Sequence, residues 1–440
     1  MRDLFVTMAV FGSLPVILTR PYVGILMWSW IGYMNPHRLS WDFATDFPFA
    51  MIIALVTLIA LLLTREEKRI PWTRETVVLL IFVLWMCVTT LFALHPEPAS
   101  EELIKVLKIE LMTFVTMMLM KDRFRIDLLV WVIALSLGFY GVKGGFFTIT
   151  TGGSYHVMGP ERSFIGGNNE IGLALIMTVP LMRYLHLQAK QLWVKWGLML
   201  AMGLTFVAIL GTQSRGALVG LIPMTLMLVG KTRKRFILLL LMGPVLYAGY
   251  QFMPESWHER MQTIETYQQD ASAMGRINAW EFAFNLAKDR PLVGGGNQAF
   301  TPDLFARYAP DPDDVHDAHS IYFEVLAEHG FVGLALFLLL GWFAWRTCSV
   351  VAKQTRVNPN GQWMADLASM LQVSLVGFAA SGAFLGLAYF DLYYHLIALV
   401  VLLKVQSRQL GEQAVSTEPQ EKSVQGVQPQ GVVVGRLAGK

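Results

Sequence analysis

PFAMIIALVTLIALLLT (residues 48–64) is apolar almost from end to end, as are TVVLLIFVLWMCVTTLFAL (76–94) and FILLLLMGPVLYAGYQF (236–252). Each comes near the ~20 residues that carry a helix across ~30 Å of hydrocarbon. Lipid offers backbone amides and carbonyls no partner, so a spanning segment is a helix or a strand of a closed barrel. The runs show no period-2 alternation, which selects helices. The composition agrees: of 440 residues, 54% are hydrophobic and 15% charged, where a soluble domain carries about a quarter charged. The expected fold is an all-α polytopic membrane protein with about twelve transmembrane helices.

Basic clusters mark the loops expected on the cytoplasmic side. They are TREEKR (64–69), KDRFR (121–125), AKQLWVK (189–195), KTRKR (231–235) and the segment 346–356. The alternate loops lack such clusters: 35–47, 95–102, 150–164, the short turn at 214–215 and the long segment 253–319. That alternation puts 253–319 on the outer face. The first apolar run has no small-residue cleavage site and reads as a retained helix. Arg20-Pro21 reads as a break within one crossing, which leaves both termini cytoplasmic.

Four regions follow: a helix bundle over 1–252, a helical loop cap over 253–319, C-terminal transmembrane helices over 320–406 and a disordered cytoplasmic tail over 407–440. In the cap, INAWEFAFNLAKD (277–289) has apolar residues at 277, 280, 284 and 287, a helical period. PLVGGGNQAF (291–300) then forms a glycine-rich turn. The chain shows no pair of similar halves with matched broken helices, which argues against a secondary transporter. Cys87 and Cys348 are far apart in sequence and read as apolar filler.

DAHSIYFEVLAEHG (317–330) puts a histidine at the mouth of an apolar helix. Asp317 is the expected N-cap. On helical periodicity His319, Tyr322, Phe323, Leu326 and Gly330 share one face, and Gly330 lets another backbone approach closely. The positive end of a helix favours a neutral imidazole, while Asp311, Asp313, Asp314 and Asp317 push the other way. Two readings of His319 stand, an interfacial ring bonded to a loop carbonyl and a general base. His329 reads as structural.

Arginines also gather at outer junctions: Arg215 in GTQSRGALVG, Arg162 in GPERSFIGGNNEIG, Arg276 in MGRINAW and Arg307 in LFARYAP. A charge that near hydrocarbon is paired or functional. Here they either pair with Glu161, Glu170 and the aspartates of 311–314 or converge on an anion, for which the guanidinium fork suits phosphate. Lys143, Asn169, Tyr322 and Asp391 are candidate cavity-lining residues. Glu101 and Lys105 are spaced to pair at i,i+4. There is no P-loop, dinucleotide fingerprint or GxSxG. Asp311 and Asp313 sit in a proline-rich run rather than at a helix junction suited to a divalent metal. No metal and no cofactor is expected.

HSIYFEVLAEHG after a large outer loop, SRG at a short outer turn and GRINAWEFAFNLAKDRPLVGGGNQAF together resemble the O-antigen ligase and O-antigen polymerase superfamily. YGVKGGFFTITTGGSYHVMGPERSFIGGNNEIGLAL is similar to the O-glycosylation ligases associated with exosortase systems. The resemblance implies a polytopic (GT-C-like) glycosyltransferase with a large periplasmic helical loop, in the bacterial inner membrane. For an O-antigen ligase it implies metal-independent, inverting transfer of a glycan from undecaprenyl diphosphate to a lipid A-core sugar hydroxyl at the periplasmic face. It implies that His319 is essential, as general base, and that Arg215 matters, with Arg276 as the loop arginine; Arg162 completes the expected diphosphate site. The implied partners are the lipid-linked glycan, lipid A-core and membrane lipids, and no nucleic acid. An O-antigen polymerase or a protein O-oligosaccharyltransferase would share this chemistry, and a lipid-linked sugar transporter would lack it.

Overall fold

The computed structural model describes residues 1–232, 235–255, 257–258 and 271–424. Among them the structure is helical, with no strand. The first helices are α1 (Arg2–Thr19), α2 (Tyr22–Met34), α3 (Phe49–Leu63), α4 (Arg74–Leu91) and α5 (Pro96–Leu119). Then come α6 (Arg123–Thr150), α7 (Asn168–Gln188), α8 (Leu192–Gly211), α9 (Arg215–Gly230) and α10 (Arg235–Phe252). The last are α11 (Ala271–Asp289), α12 (Pro302–Tyr308), α13 (Ile321–Thr355), α14 (Gln362–Gly382) and α15 (Asp391–Val424). Among the described residues seven helices are long and apolar enough to cross a membrane: α1, α4, α6, α7, α8, α13 and α14 with its preceding turn. Helices α3 and α9 are shorter apolar ones. This is a polytopic α-helical membrane protein. Its centre is α7 and α14, each 78% buried over its apolar window, while α1 is only 22% buried and lies at the periphery.

Contacts sort the loops into two ends. At one end Arg125 forks onto Glu66, with N–O distances of 2.8 and 3.0 Å. There Arg123 reaches Gln188 at 3.1 Å, and Gln188 reaches Asp366 at 2.9 Å. The Arg125 hydrogen bonds hold the Glu66 carboxyl below its usual range, despite partial burial that opposes the shift. The basic clusters at 64–69 and 121–125 therefore share this end. At the other end Gln213 Nε2 donates to Gly153 O at 2.9 Å and the Leu94 amide to Gly295 O at 2.8 Å. Arg162 approaches Asp46 at 3.5 Å. The loops expected to lack basic clusters meet here, so the alternation read from charge matches their grouping.

The N-terminus departs from expectation. Arg2 donates to Leu39 O at 3.1 Å, and the buried Asp3 carboxylate accepts from the amides of Asp42 and Ala44. Residues 2–3 thus lie against the 35–46 loop. Helices α1 and α2 form an antiparallel pair that turns at Arg20-Pro21, not one kinked crossing. Pro21 has no amide hydrogen to extend α1, and it presets the first turn of α2. Lys105 pairs with Glu102 at 2.8 Å (i,i+3) rather than with Glu101. Helix α15 continues past residue 407, and the tail over 425–440 lies outside the described residues.

Glycine lets α6 and α8 pack backbone against backbone. Gly141, Gly144 and Gly145 on α6 face α8, and a Cβ at Gly145 would lie 2.1 Å from the Leu204 carbonyl oxygen. Small residues let helices approach where lipid supplies no hydrophobic drive between them. Gly145→Ala must push α6 and α8 apart and should destabilise by about 1–3 kcal/mol. Gly197→Ala, where nothing lies within 4 Å, should be neutral. Thermal unfolding in detergent checks this, and equal melting temperatures for the two variants would refute it.

Candidate functional site

Helices α11 and α12 build a small core of their own. Phe282 stacks on Phe305 with centroids 4.3 Å apart, and Ala279, Ala283 and Leu286 are buried with them. The buried face is 279, 282, 283, 286 and 287, so of the expected 277, 280, 284 and 287 only Ala287 lies on it: Phe284 is 46% exposed. Both sets have helical period, and tertiary packing chose the phase. Trp280 lies on a second face. It stacks on Phe323 of α13 (5.1 Å, 9°), and its indole N–H donates to Ala318 O at 2.7 Å.

Asn278 fastens the acidic segment to α11. Its Nδ2 donates to Asp311 O at 2.8 Å and Asp314 O at 2.9 Å, while its Oδ1 accepts from the Asp311 amide at 2.9 Å. Gly275 is closed in by His316, whose ring would be 2.4 Å from a Cβ. His316 itself bonds Asp314 at 2.7 Å. Between these groups opens a cavity of about 690 Å³, lined by Arg276, His319, His316 and Asp311, Asp313 and Asp314 among others.

His319 is not on a helix face. The helix begins at Ile321, with Ser320 as an extended N-cap that makes no side-chain cap bond, so Asp317 is not the cap. His319 stands two residues earlier at φ 42°, in the left-handed region. A non-glycine residue held there costs of order 1–3 kcal/mol and persists only where the surroundings enforce it. Here Trp280 holds the preceding carbonyl and Ser320 is buried on the other side. Tyr322 is half-buried, its hydroxyl donating to Ala379 O at 2.8 Å.

The cavity decides between the opposing charges. His319 is shifted below the ordinary 6.5, first by burial, then by the charge of Arg276, with Asp317 opposing and His316 adding slightly. Both burial and the Arg276 charge thus favour the unprotonated ring.

Arg215 is the first residue of α9, and the Ser214 hydroxyl caps that helix by accepting from the Ala217 amide at 3.1 Å. A Cβ on Gly216 would be 3.2 Å from Phe384, and Phe384 packs on Trp280 at 6.0 Å. Arg215 therefore lies in the layer that holds the cavity, although it is not among the residues lining it. Arg162 lies elsewhere, exposed beside Asp46. Lys143 lines a different groove of about 410 Å³ with Arg2, Met34, Leu39 and Phe139. Asn169 is half-buried in the first turn of α7, and Asp391 is buried at the start of α15, against Gly32 of α2. Arg307 pairs with Asp289 at 3.4 Å. Sequence reasoning missed Asn278 and Trp280, whose partners lie 33 to 38 residues away and leave no local pattern.

A folded value below 6.5 means that the unfolded chain takes up the proton first as pH falls. The contribution of His319 to stability is therefore full above about 6.5 and is lost below it. Histidine-selective NMR, assigned by His319→Gln, should show this ring titrating below 6.5; a midpoint above that value would refute the burial argument.

Residues 1–190 match a family of unknown function, DUF5935. Residues 200–338 match the family model described as O-Antigen ligase, a span that includes Arg215, Arg276 and His319. No curated protein matches the chain. The segment 200–338 is thus a domain of the O-antigen ligase/polymerase superfamily.

Proposed function

We propose that the protein is an O-antigen ligase, which transfers a glycan from undecaprenyl diphosphate to a sugar hydroxyl of lipid A-core. The observation that carries this reading is that His319 and the Arg276 guanidinium line one cavity, where burial and the Arg276 charge disfavour a proton on the ring. The acceptor oxygen attacks the anomeric carbon from the face opposite the diphosphate, and configuration inverts. The bond from that carbon to the phosphate oxygen breaks, and its electron pair leaves on the diphosphate. His319 takes the proton of the attacking hydroxyl as general base. Arg276 meets the growing negative charge, aided by Arg215 at the positive end of α9. The aspartates of 311–314 offer acceptors for sugar hydroxyls. The donor arrives activated, so neither ATP nor a metal takes part in this scheme. The end of the bundle without basic clusters faces the periplasm in this reading, with segment 253–319 as its cap, in an inner membrane that the chain crosses many times.

Reconstitution with a defined lipid-linked glycan and lipid A-core tests the proposal. Transfer to a second glycan or to a protein instead would reassign the acceptor, and movement of the lipid with no new glycosidic bond would make the protein a transporter. His319→Ala should lower turnover about 10²–10⁴-fold while the protein still folds and inserts; undiminished transfer would remove the base assignment. Arg276→Ala should cost about 10²–10³-fold, and wild-type use of the donor by that variant would remove the clamp. Activity should persist in excess chelator; a loss restored by Mg²⁺ would show that a metal is required.

A further inference from the structure

Behind the cavity lies a buried polar chain that the proposed reaction does not use. Glu328 and His329 sit near the end of the first leg of α13, and Tyr389 sits in the 383–390 turn. These three residues and Thr89 of α4 are each no more than 6% exposed. Glu328 Oε1 accepts from the Gln298 amide at 2.7 Å, and Oε2 accepts from the Tyr389 hydroxyl at 2.5 Å. The same hydroxyl lies 2.8 Å from His329 Nε2, and His329 Nδ1 lies 2.7 Å from Thr89 Oγ1.

Proton counting gives the chain a direction. With Glu328 ionised, Tyr389 gives it its one proton, so His329 donates to Tyr389 from Nε2. A neutral ring then accepts at Nδ1, and the proton of Thr89 goes there, nearer than its other acceptor, Met86 O at 3.0 Å. Every donor thus points toward the Glu328 carboxylate, which ends on the backbone of Gln298. Gln298 is itself left-handed, at φ 60°, and closes the glycine-rich turn whose other end leads back into α11.

We infer that Glu328 is a positioning residue: it locks the 294–298 turn to α13 and thereby sets Arg276, carried by α11, against His319, which precedes α13. The inference rests on the proposed function for its catalytic readout only.

Substitution separates geometry from charge. In Glu328→Gln the amide oxygen still accepts from Gln298, and the new NH₂ donates to Tyr389. Tyr389 then donates to His329, His329 to Thr89, and Thr89 to Met86 O; each atom keeps its partner with the direction reversed. In Glu328→Ala the Gln298 amide and Tyr389 lose their acceptor.

Hydrogen exchange over residues 294–298 and transfer kinetics are the two measurements. In the wild type those amides should exchange as slowly as the first leg of α13. Glu328→Ala should lose that protection and about 100-fold in kcat, while Glu328→Gln keeps both. Should Glu328→Ala fail to fold, Tyr389→Phe should likewise speed exchange at Gln298 and lower kcat. Wild-type protection and turnover in Glu328→Ala would overturn the inference, or in Tyr389→Phe should that variant stand in for it. So would a Glu328→Gln variant as damaged as Glu328→Ala, because charge rather than hydrogen-bond geometry would then matter. A wild type that forms no glycosidic bond defeats the proposed function alone, and exchange still decides the positioning.

Discussion

The candidate site depends on one exchange of backbone hydrogen bonds. Gly330 stands at φ 66°, ψ −169° inside α13 and interrupts its ladder. The Phe331 amide, which would have bonded Ala327 O, donates instead to Pro291 O at 2.9 Å. The carbonyls of Ala327 and Glu328 are freed and accept from the amides of Gly295 and Gly296, at 2.8 and 2.9 Å. Buried backbone groups must be paired, so a broken helix at this depth is stable only with the glycine-rich turn docked in it. The docking needs bare backbone on both sides. A Cβ at Gly330 would be 2.5 Å from Leu292 O, and one at Gly294 would be 2.5 Å from Ala327 O. The cap is thereby held to the bundle by main chain rather than by side chains alone.

Strain is gathered at the same end. Among the described residues the left-handed non-glycine positions are Asn35, Arg162, Gln213, Gln298 and His319. Each lies in a loop of the end that holds the cavity. Among the described residues the opposite end, with its basic clusters, has no left-handed non-glycine position, and its ion pairs include the buried Glu75 with Lys404 at 2.7 Å. Three of the five bear on the site: Gln213 leads into the Ser214 cap and Arg215, Gln298 closes the docked turn, and His319 faces the cavity. Strained backbone persists where packing over-determines it and concentrates at functional sites. Here the enforcing contacts are Gln213 on Gly153 O, Glu328 on the Gln298 amide and Trp280 on Ala318 O.

What the sequence makes legible is what is periodic or close in the chain. Lipid forces helices, so apolar runs such as 48–64 and 76–94 locate α3 and α4 directly. The alternation of basic loops groups the ends correctly because it is a property of whole loops. Close approach at Gly330 is also readable, since a glycine amid long side chains invites another backbone. Three things are not readable. The phase of α11 depends on which side Phe305 packs. The turn of the chain at His319 depends on Trp280, 38 residues upstream of the carbonyl it binds. The antiparallel return of α1 depends on Asp3 meeting amides of Asp42 and Ala44. Each is a long-range pairing, and a proline or glycine nearby marks only that the chain can turn there, not where it goes.

The electrostatics of the cavity bear on how the proposed reaction would be timed. Burial and the Arg276 charge both disfavour a proton on His319, and Asp317 opposes them. Burial is a property of the fold and is constant, whereas the influence of the Arg276 charge depends on what else is bound. A diphosphate seated on Arg276 would offset that guanidinium and add negative charge of its own, and both effects raise the affinity of the ring for a proton. In the proposed reaction His319 is therefore a weak base in the empty site and a stronger one once the donor is present. An acceptor hydroxyl would meet a competent base only beside an activated glycan, and a coupling of that sense needs no moving part, because it follows from placing one cation and one imidazole on the same cavity wall.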